Sequence, residues 1–136
     1  MDLLNIATNN ELQFSMESEV RPWGRWTILN EGPSYKVKLI EVWPGHRLSL
    51  QFHRHRTEHW LVVSGTAKIT VAGQHQELGV LQSAIIPQQT IHRIENTTTD
   101  PLLIIEAQVG GDLSEEDIVR LDDDYEREVR AGGFDS

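Results

Sequence analysis

Short runs in which apolar and polar residues alternate fill the middle of the chain, and glycine or proline breaks them at short intervals. Residues 26–29 form one run and stop at Asn30-Glu31-Gly32-Pro33; residues 35–43 form the next and stop at Pro44-Gly45. Between 48 and 53, Leu48, Leu50 and Phe52 alternate with Ser49, Gln51 and His53. A strand there carries Gln51, His53 and His55 on one face and the apolar residues on the other. Further runs at 60–63, 67–71, 84–86, 92–96 and 102–109 bring the total to about eight strands. Strands of this length and spacing predict an all-β sandwich or barrel.

The two ends of the chain read differently. Over residues 1–20, Glu11, Glu17 and Glu19 are interspersed with Leu12, Phe14 and Met16, which predicts a partly ordered arm. Arg21-Pro22-Trp23-Gly24 then opens the domain. After Gly110-Gly111, Ser114 stands as an N-cap before the acidic first-turn residues Glu115, Glu116 and Asp117, with Ile118, Leu121 and Tyr125 at near-helical spacing. The expected organisation is an arm over 1–20, a barrel over 21–112, and a short helix near 114–121 opening a C-terminal segment, 113–136, that is acidic and loose from Ala131.

Composition narrows the function. A chain of 136 residues is one domain, long enough to bury a core without disulfides, and it has no cysteine. Neither a disulfide framework nor a thiolate metal site is available, which fits a reducing cytoplasm. The first residues lack the basic start and apolar run of a secretory signal, and no apolar stretch reaches the ~18 residues of a membrane span. A formal charge of −9 argues against nucleic-acid binding, and an anionic substrate would need a local cluster of cations. No nucleic-acid or membrane partner is expected.

The candidate chemistry lies in the histidines. Three of the six fall within His53-Arg54-His55-Arg56-Thr57-Glu58-His59, and His92 follows in a strand candidate. Imidazoles and a carboxylate on one face of a β-structure are what a divalent transition metal needs. These residues resemble the two motifs of the cupins. The first motif is carried by Gly45, His53, His55, Glu58 and, six residues on, Gly65; the second by Gly79, Pro87, His92 and Asn96. The resemblance implies a cupin double-stranded β-helix, a jelly-roll barrel, with His53, His55, Glu58 and His92 as metal ligands. Two departures stand out: the gap between His55 and Glu58 is one or two residues shorter than usual, and the glycine expected two after Pro87 is Gln89. The spacing to Gly65 favours Glu58 over His59, since a one-residue slip would turn the side chain to the opposite face. His59 stays open as an alternative ligand, and Gln51 as a fifth ligand or a substrate contact.

The surrounding sequence is more specific. Arg21-Pro22-Trp23-Gly24, Tyr35-Lys36-Val37-Lys38, residues 44–51, residues 58–67, Asp117-Ile118-Val119-Arg120 and Asp123-Asp124-Tyr125 together look like the type II mannose-6-phosphate isomerases, over about residues 21–127. Members of that group usually follow a domain that makes GDP-mannose; the length here implies a free-standing isomerase domain. The implied cofactor is one divalent ion among Zn, Mn, Co, Ni and Fe. The implied reaction is metal-dependent interconversion of mannose 6-phosphate and fructose 6-phosphate, with Glu58 or His59 as base and Gln51 beside them. For the phosphate the nearby cations are Lys36, Lys38, Arg47, Arg54, Arg56 and Arg93. Arg54 and Arg56 alternate away from His53 and His55, so they read as exterior charges, which leaves Lys36, Arg47 and Arg93 as the favoured contacts. Trp23, Trp26, Trp43 and Trp60 read as core or dimer residues. A homodimer would cover apolar faces such as that of Leu48, Leu50 and Phe52. The rivals are a non-catalytic metal- and sugar-binding cupin and, less compatible with the surrounding sequence, an iron dioxygenase.

Overall fold

The protein, described here from a computed structural model, is defined over residues 16–125, 130–131 and 134–135. The strands are β1 (Ser18–Arg21), β2 (Gly24–Glu31), β3 (Tyr35–Val42), β4 (Leu50–Phe52), β5 (Arg56–Ser64), β6 (Ala67–Val71), β7 (Gln74–Leu78), β8 (Ser83–Ile86), β9 (His92–Glu95), β10 (Leu102–Gly110), β11 (Val119–Asp122), β12 (Arg130–Ala131) and β13 (Phe134–Asp135). Two antiparallel sheets face each other, one in the order β1-β2-β3-β10-β5-β8 and the other β11-β4-β9-β6-β7. The all-β expectation holds, and among the described residues there is no helix.

Alternation along β10 divides the interior into two ends. Leu102 and Ile104 point inward beside Val42, Ile40 and Val62 of the neighbouring strands. Further along the same face come Glu106, between Lys38 and Trp60, and Gln108, between Lys36 and Glu58. Leu102 and Ile104 belong to an apolar core with Trp23, Trp26, Trp60, Ile69, Leu78, Ile86 and Ile94. Three of the four tryptophans are thus core residues, whereas Trp43 is 42% exposed. The inward positions of the other end are polar, and that is where a site can form.

Three expectations need correction. First, the predicted helix near 114–121 is a turn followed by β11. Asp117 N–H bonds the Ser114 carbonyl, and the Asp117 carboxylate accepts the backbone N–H groups of Arg54 and His55. Anchored there, the chain runs extended, and Val119 and Arg120 pair with Phe52 and Gln51 of β4. A three-residue strand needs that partner more than an isolated, acidic helical turn needs continuation. Second, the barrel does not begin at 21 and stop at 112: β1 adds Ser18–Arg21 to one sheet and β11 adds Val119–Asp122 to the other. The arm up to residue 15 lies outside the described residues. Third, β12 and β13 pair with each other where a loose tail is expected. The wholly polar start of β7 hides it from a search for apolar runs; it is an edge strand exposed over 74–77.

Pro87 and Gln89 bring one loop against the site. Gln89 takes φ +61°, and its N–H donates to the His53 carbonyl at 2.7 Å. This is the position where the motif expects glycine, so the left-handed backbone is kept without the residue that suits it. A left-handed non-glycine residue costs roughly 1–2 kcal/mol, part of which is offset because glycine loses more chain entropy. Gln89→Gly is therefore expected to stabilise the fold by about 0.5–1 kcal/mol, raising Tm by about 2–5 °C. Denaturant unfolding of the variant checks this; a loss of stability would show that the Gln89 side chain outweighs the backbone strain.

Candidate metal centre

Inward alternation along β5 sends Arg56, Glu58 and Trp60 into the barrel and turns His59 out to solvent. Glu58 is 2% exposed. Its Oε1 accepts the Trp60 indole N–H at 3.0 Å and its Oε2 accepts Arg56 Nε–H at 2.9 Å. His53, at the end of β4, places Nε2 3.2 Å from Glu58 Oε2, and His92, opening β9, places Nε2 4.0 Å from Glu58 Oε1. The two imidazole rings lie 5.0 Å apart, and His92 meets Trp60 edge-on.

The tautomers follow from the backbone. His53 Nδ1 lies 2.5 Å from the Asp117 carbonyl and His92 Nδ1 lies 2.9 Å from the Thr90 carbonyl. A carbonyl only accepts, so both rings carry a proton on Nδ1 and offer an Nε2 lone pair inward. Arg56 Nη2 donates to His53 Nε2 at 3.2 Å. His92 Nε2 is buried with no hydrogen-bond partner. An orphaned lone pair facing a second imidazole and a carboxylate is a donor set that a divalent transition ion satisfies, with open positions left for substrate oxygens. The carbonyls behind each ring are the orienting partners such a centre needs. The residues fit a metal, provided Arg56 Nη2 swings off His53.

The charge states agree. Burial, helped by Arg56 and His92 and opposed by Glu58, pushes His53 down to about 4; burial likewise lowers His92. Both are neutral near pH 7, the form that ligates. Burial alone would raise Glu58, but the positive charge that His53, His92 and Arg56 can present outweighs it and holds the carboxyl well below the usual range. With both rings neutral, Arg56 is the facing cation that remains. Glu106 goes the other way: burial first, then the charge of Glu58, push it up to about 8. Gln108 Nε2 donates to Glu106 Oε1 at 2.6 Å.

Of the expected ligands, His53, Glu58 and His92 converge and His55 does not. Its side chain is 59% exposed, with Nδ1 3.3 Å from Asp117 and 3.9 Å from Asp112 at the surface. Gln51, by contrast, is buried, lines the chamber with His53 and Glu58, and is the register partner of His92, its Oε1 accepting from Ser49 Oγ at 2.9 Å. The physical reason is a break in alternation. β4 ends at Phe52 and β5 begins at Arg56, and Arg54 and His55 both face out between them. The spacing could have shown this. His53 and Glu58 are five apart, and an odd separation cannot bring two side chains to one face of a continuous strand. Read two positions earlier, as Gln51-x-His53, the pair is followed by four residues before Glu58, which removes the shortened gap.

The expected phosphate contacts also move. Arg47 donates to Asp124 at 2.7 and 2.9 Å and to Glu95 at 3.1 Å; Arg93 donates to the Leu48 carbonyl and to Asp122; Lys36 donates to the Leu113 carbonyl. None of the three lines the chamber above Glu58, which is walled by Arg21, Trp26, Lys38, Arg56, Glu106 and Arg120 among others. Arg56, read as exterior, is interior because the same break in alternation reverses its face.

Residues 8–123 match the family described as mannose-6-phosphate isomerase C-terminal. The chain is 43% identical over 123 residues to mannose-1-phosphate guanylyltransferase ManC of Salmonella typhimurium, covering 90% of this chain and 26% of that protein. It is 50% identical over 107 residues to alginate biosynthesis protein AlgA of Pseudomonas aeruginosa, covering 79% and 22%. It thus spans about a quarter of the length of these relatives. Among solved structures, KdgF from Halomonas sp. aligns at TM-score 0.65 and 18% identity over 75% of this chain and 92% of that one. The cupin domain of Schizosaccharomyces pombe Cnp3 aligns at 0.61 and 14% over 71% and 69%. At these identities the likeness shows the fold, a cupin double-stranded β-helix. The chain belongs to the mannose-6-phosphate isomerase C-terminal family.

Proposed function

We propose that this chain is a metal-dependent aldose–ketose isomerase that interconverts mannose 6-phosphate and fructose 6-phosphate. The observation that carries the reading is the convergence of His53 Nε2, the unpartnered His92 Nε2 and the Glu58 carboxylate at the polar end of a domain of this family. A divalent ion bound by these three would supply Lewis-acid polarisation of the sugar's C1 and C2 oxygens.

The remaining work falls to the chain itself. Isomerisation moves a proton between C1 and C2 through an enediol, so a group must hold a proton near neutral pH. His59 is excluded as base because it faces out of the barrel. Glu106 suits the acid that gives a proton to the sugar's carbonyl oxygen: its carboxyl lies inside, one inward position from Gln108, and carries its proton at neutral pH, while Glu58, ionised, is the carboxylate left to take the carbon proton. Two carboxyls driven to opposite protonation states can divide acid and base roles. Gln51 offers its amide to a sugar hydroxyl from the β4 side, and Trp60 shields Glu58 from water.

Two predictions test this. Purified chain supplied with Mn, Zn or Co should convert mannose 6-phosphate, and chelator should abolish the activity. His53→Ala and Glu58→Gln should each lower metal retention by about 10²-fold or more, whereas His55→Ala should keep both metal and turnover. A folded protein that holds metal but turns over nothing would sink the isomerase reading in favour of a binding module.

Glu106→Gln should retain metal yet lose about 10²–10⁴-fold in turnover. It should also change the pH dependence of stability. The folded-state pKa of Glu106 lies above its ordinary value, so its contribution is full below about 4.5 and is lost as pH rises through about 8. In chelator, the melting temperature of the wild type should therefore fall relative to Glu106→Gln between about pH 5 and about pH 8. A pH-independent difference would show that Glu106 is not held protonated by the fold.

A further inference from the structure

Lys38 lies inside the barrel with its side chain only 4% exposed. Its ammonium sits 4.2 Å from the Trp26 ring centroid and 2.5 Å from Glu115 Oε2. A buried ammonium needs an anion. The anion here comes from outside the strand scaffold: Glu115 belongs to the turn before β11 and its side chain is 45% exposed. That turn is otherwise tied down through its backbone, the Leu113 carbonyl accepting from Lys36 and the Ser114 carbonyl from Arg56. Glu115 is the one residue of 112–116 whose carboxylate reaches an interior cation of the chamber.

The chamber under this turn measures about 60 Å³, room for a few waters and not for a hexose phosphate. A hexose phosphate is larger than this space, and Glu115 lines it beside Lys38, where a bound phosphate would compete with its carboxylate. Once Glu115 leaves, Lys38 lacks its carboxylate.

We infer that Lys38 anchors a subsite for the phosphate of the substrate, and that Glu115 occupies this subsite as an internal stand-in that the phosphate displaces. The register supports the span. Lys38 faces Glu106, and Glu106 faces Trp60, in one row; Lys36, Gln108 and Glu58 form the next row. Lys38 and Glu58 are thus two strands and two residues apart, roughly 12 Å between backbones at ordinary strand spacings. With both side chains reaching inward, that gap suits an open six-carbon chain with C1 and C2 at the imidazoles and the C6 phosphate at Lys38. Lys36, Arg47 and Arg93 are held by their own partners away from this chamber.

The inference rests on the isomerase reading only for the identity of the sugar, so its test measures binding. Inorganic phosphate, fructose 6-phosphate and fructose are titrated calorimetrically into the full chain. Removing the internal competitor with Glu115→Gln should tighten inorganic phosphate and fructose 6-phosphate by about tenfold and leave fructose unchanged. The neighbouring surface variant Glu116→Gln should leave all three unchanged. Lys38→Met should weaken the two phosphorylated probes by about tenfold or more, and Glu115→Gln should add nothing in that background. Should Lys38→Met fail to fold, Glu115→Gln against Glu116→Gln still decides. Unchanged or weaker phosphate binding in Glu115→Gln, or equal tightening in Glu116→Gln, overturns the subsite. If no metal gives turnover while phosphate affinity follows the expected pattern, the isomerase reading falls and the subsite stands.

Discussion

An ionised carboxylate buried within a protein as small as this one constrains everything near it. Glu58 is buried, and the fold answers its charge with two donors: the Arg56 guanidinium and the Trp60 indole. Losing one partner of such a buried pair typically costs about 3–5 kcal/mol, because the other charge is left uncompensated. The arrangement also forces its second neighbour to be neutral. Glu106 shares the same interior face and cannot ionise beside Glu58 without adding a second buried negative charge, so it keeps its proton. The charge states at the polar end of the barrel thus follow from burial of both carboxyls and from the charge of Glu58. The folding energy has to come from the other end, where Val42, Val62, Leu102 and Ile104 are fully buried.

The turn before β11 joins this centre to the outside. The Asp117 carbonyl fixes the His53 tautomer, and the Asp117 carboxylate holds the backbone that carries Arg54 and His55. Glu115, two residues earlier, contacts Lys38. Orientation of the His53 ring and cover over the chamber thus depend on two nearby residues of one short segment. His53 is oriented by Asp117, whereas 112–116 is held by Lys36, Lys38 and Arg56, so the two ends of the segment have separate anchors.

Much of this was legible in the amino-acid sequence where burial and alternation coincide. The runs at 35–43, 67–71 and 102–109 became β3, β6 and β10 because their inward residues are apolar for much of their length and their ends carry turn residues. His53, Glu58 and His92 were identified through a motif whose glycine and proline positions match the turns of the barrel. The errors share one physical origin. Alternation transmits which way a side chain faces only while the strand continues, and it was carried across 53–55, where the strand stops. That one step put His55 in, left Arg56 out and gave Gln51 too small a part. The cations failed differently. Lys36, Arg47 and Arg93 look free in a sequence, but in a chain with 21 acidic and 12 basic residues almost any surface cation finds a carboxylate or carbonyl. Their partners, Leu113, Asp124 and Asp122, lie far along the chain and cannot be read locally.

The charges of the chamber bear on how the proposed phosphate and metal would share it. Among the charged side chains that line the chamber, Arg21, Lys38, Arg56 and Arg120 outnumber Glu58 and Glu115, with Glu106 neutral. Exchange of the Glu115 carboxylate for a phosphate monoester would bring about −1.5 to −2 in place of −1, which those cations can meet. A divalent ion held by His53, Glu58 and His92 would add positive charge from the other side of the cavity, and the contact of Arg56 with His53 Nε2 would give way. On the proposed reading, a carbohydrate without phosphate would leave Glu115 on Lys38 and gain only its own hydroxyl contacts, so preference for a phosphorylated sugar would follow from the Lys38 contact.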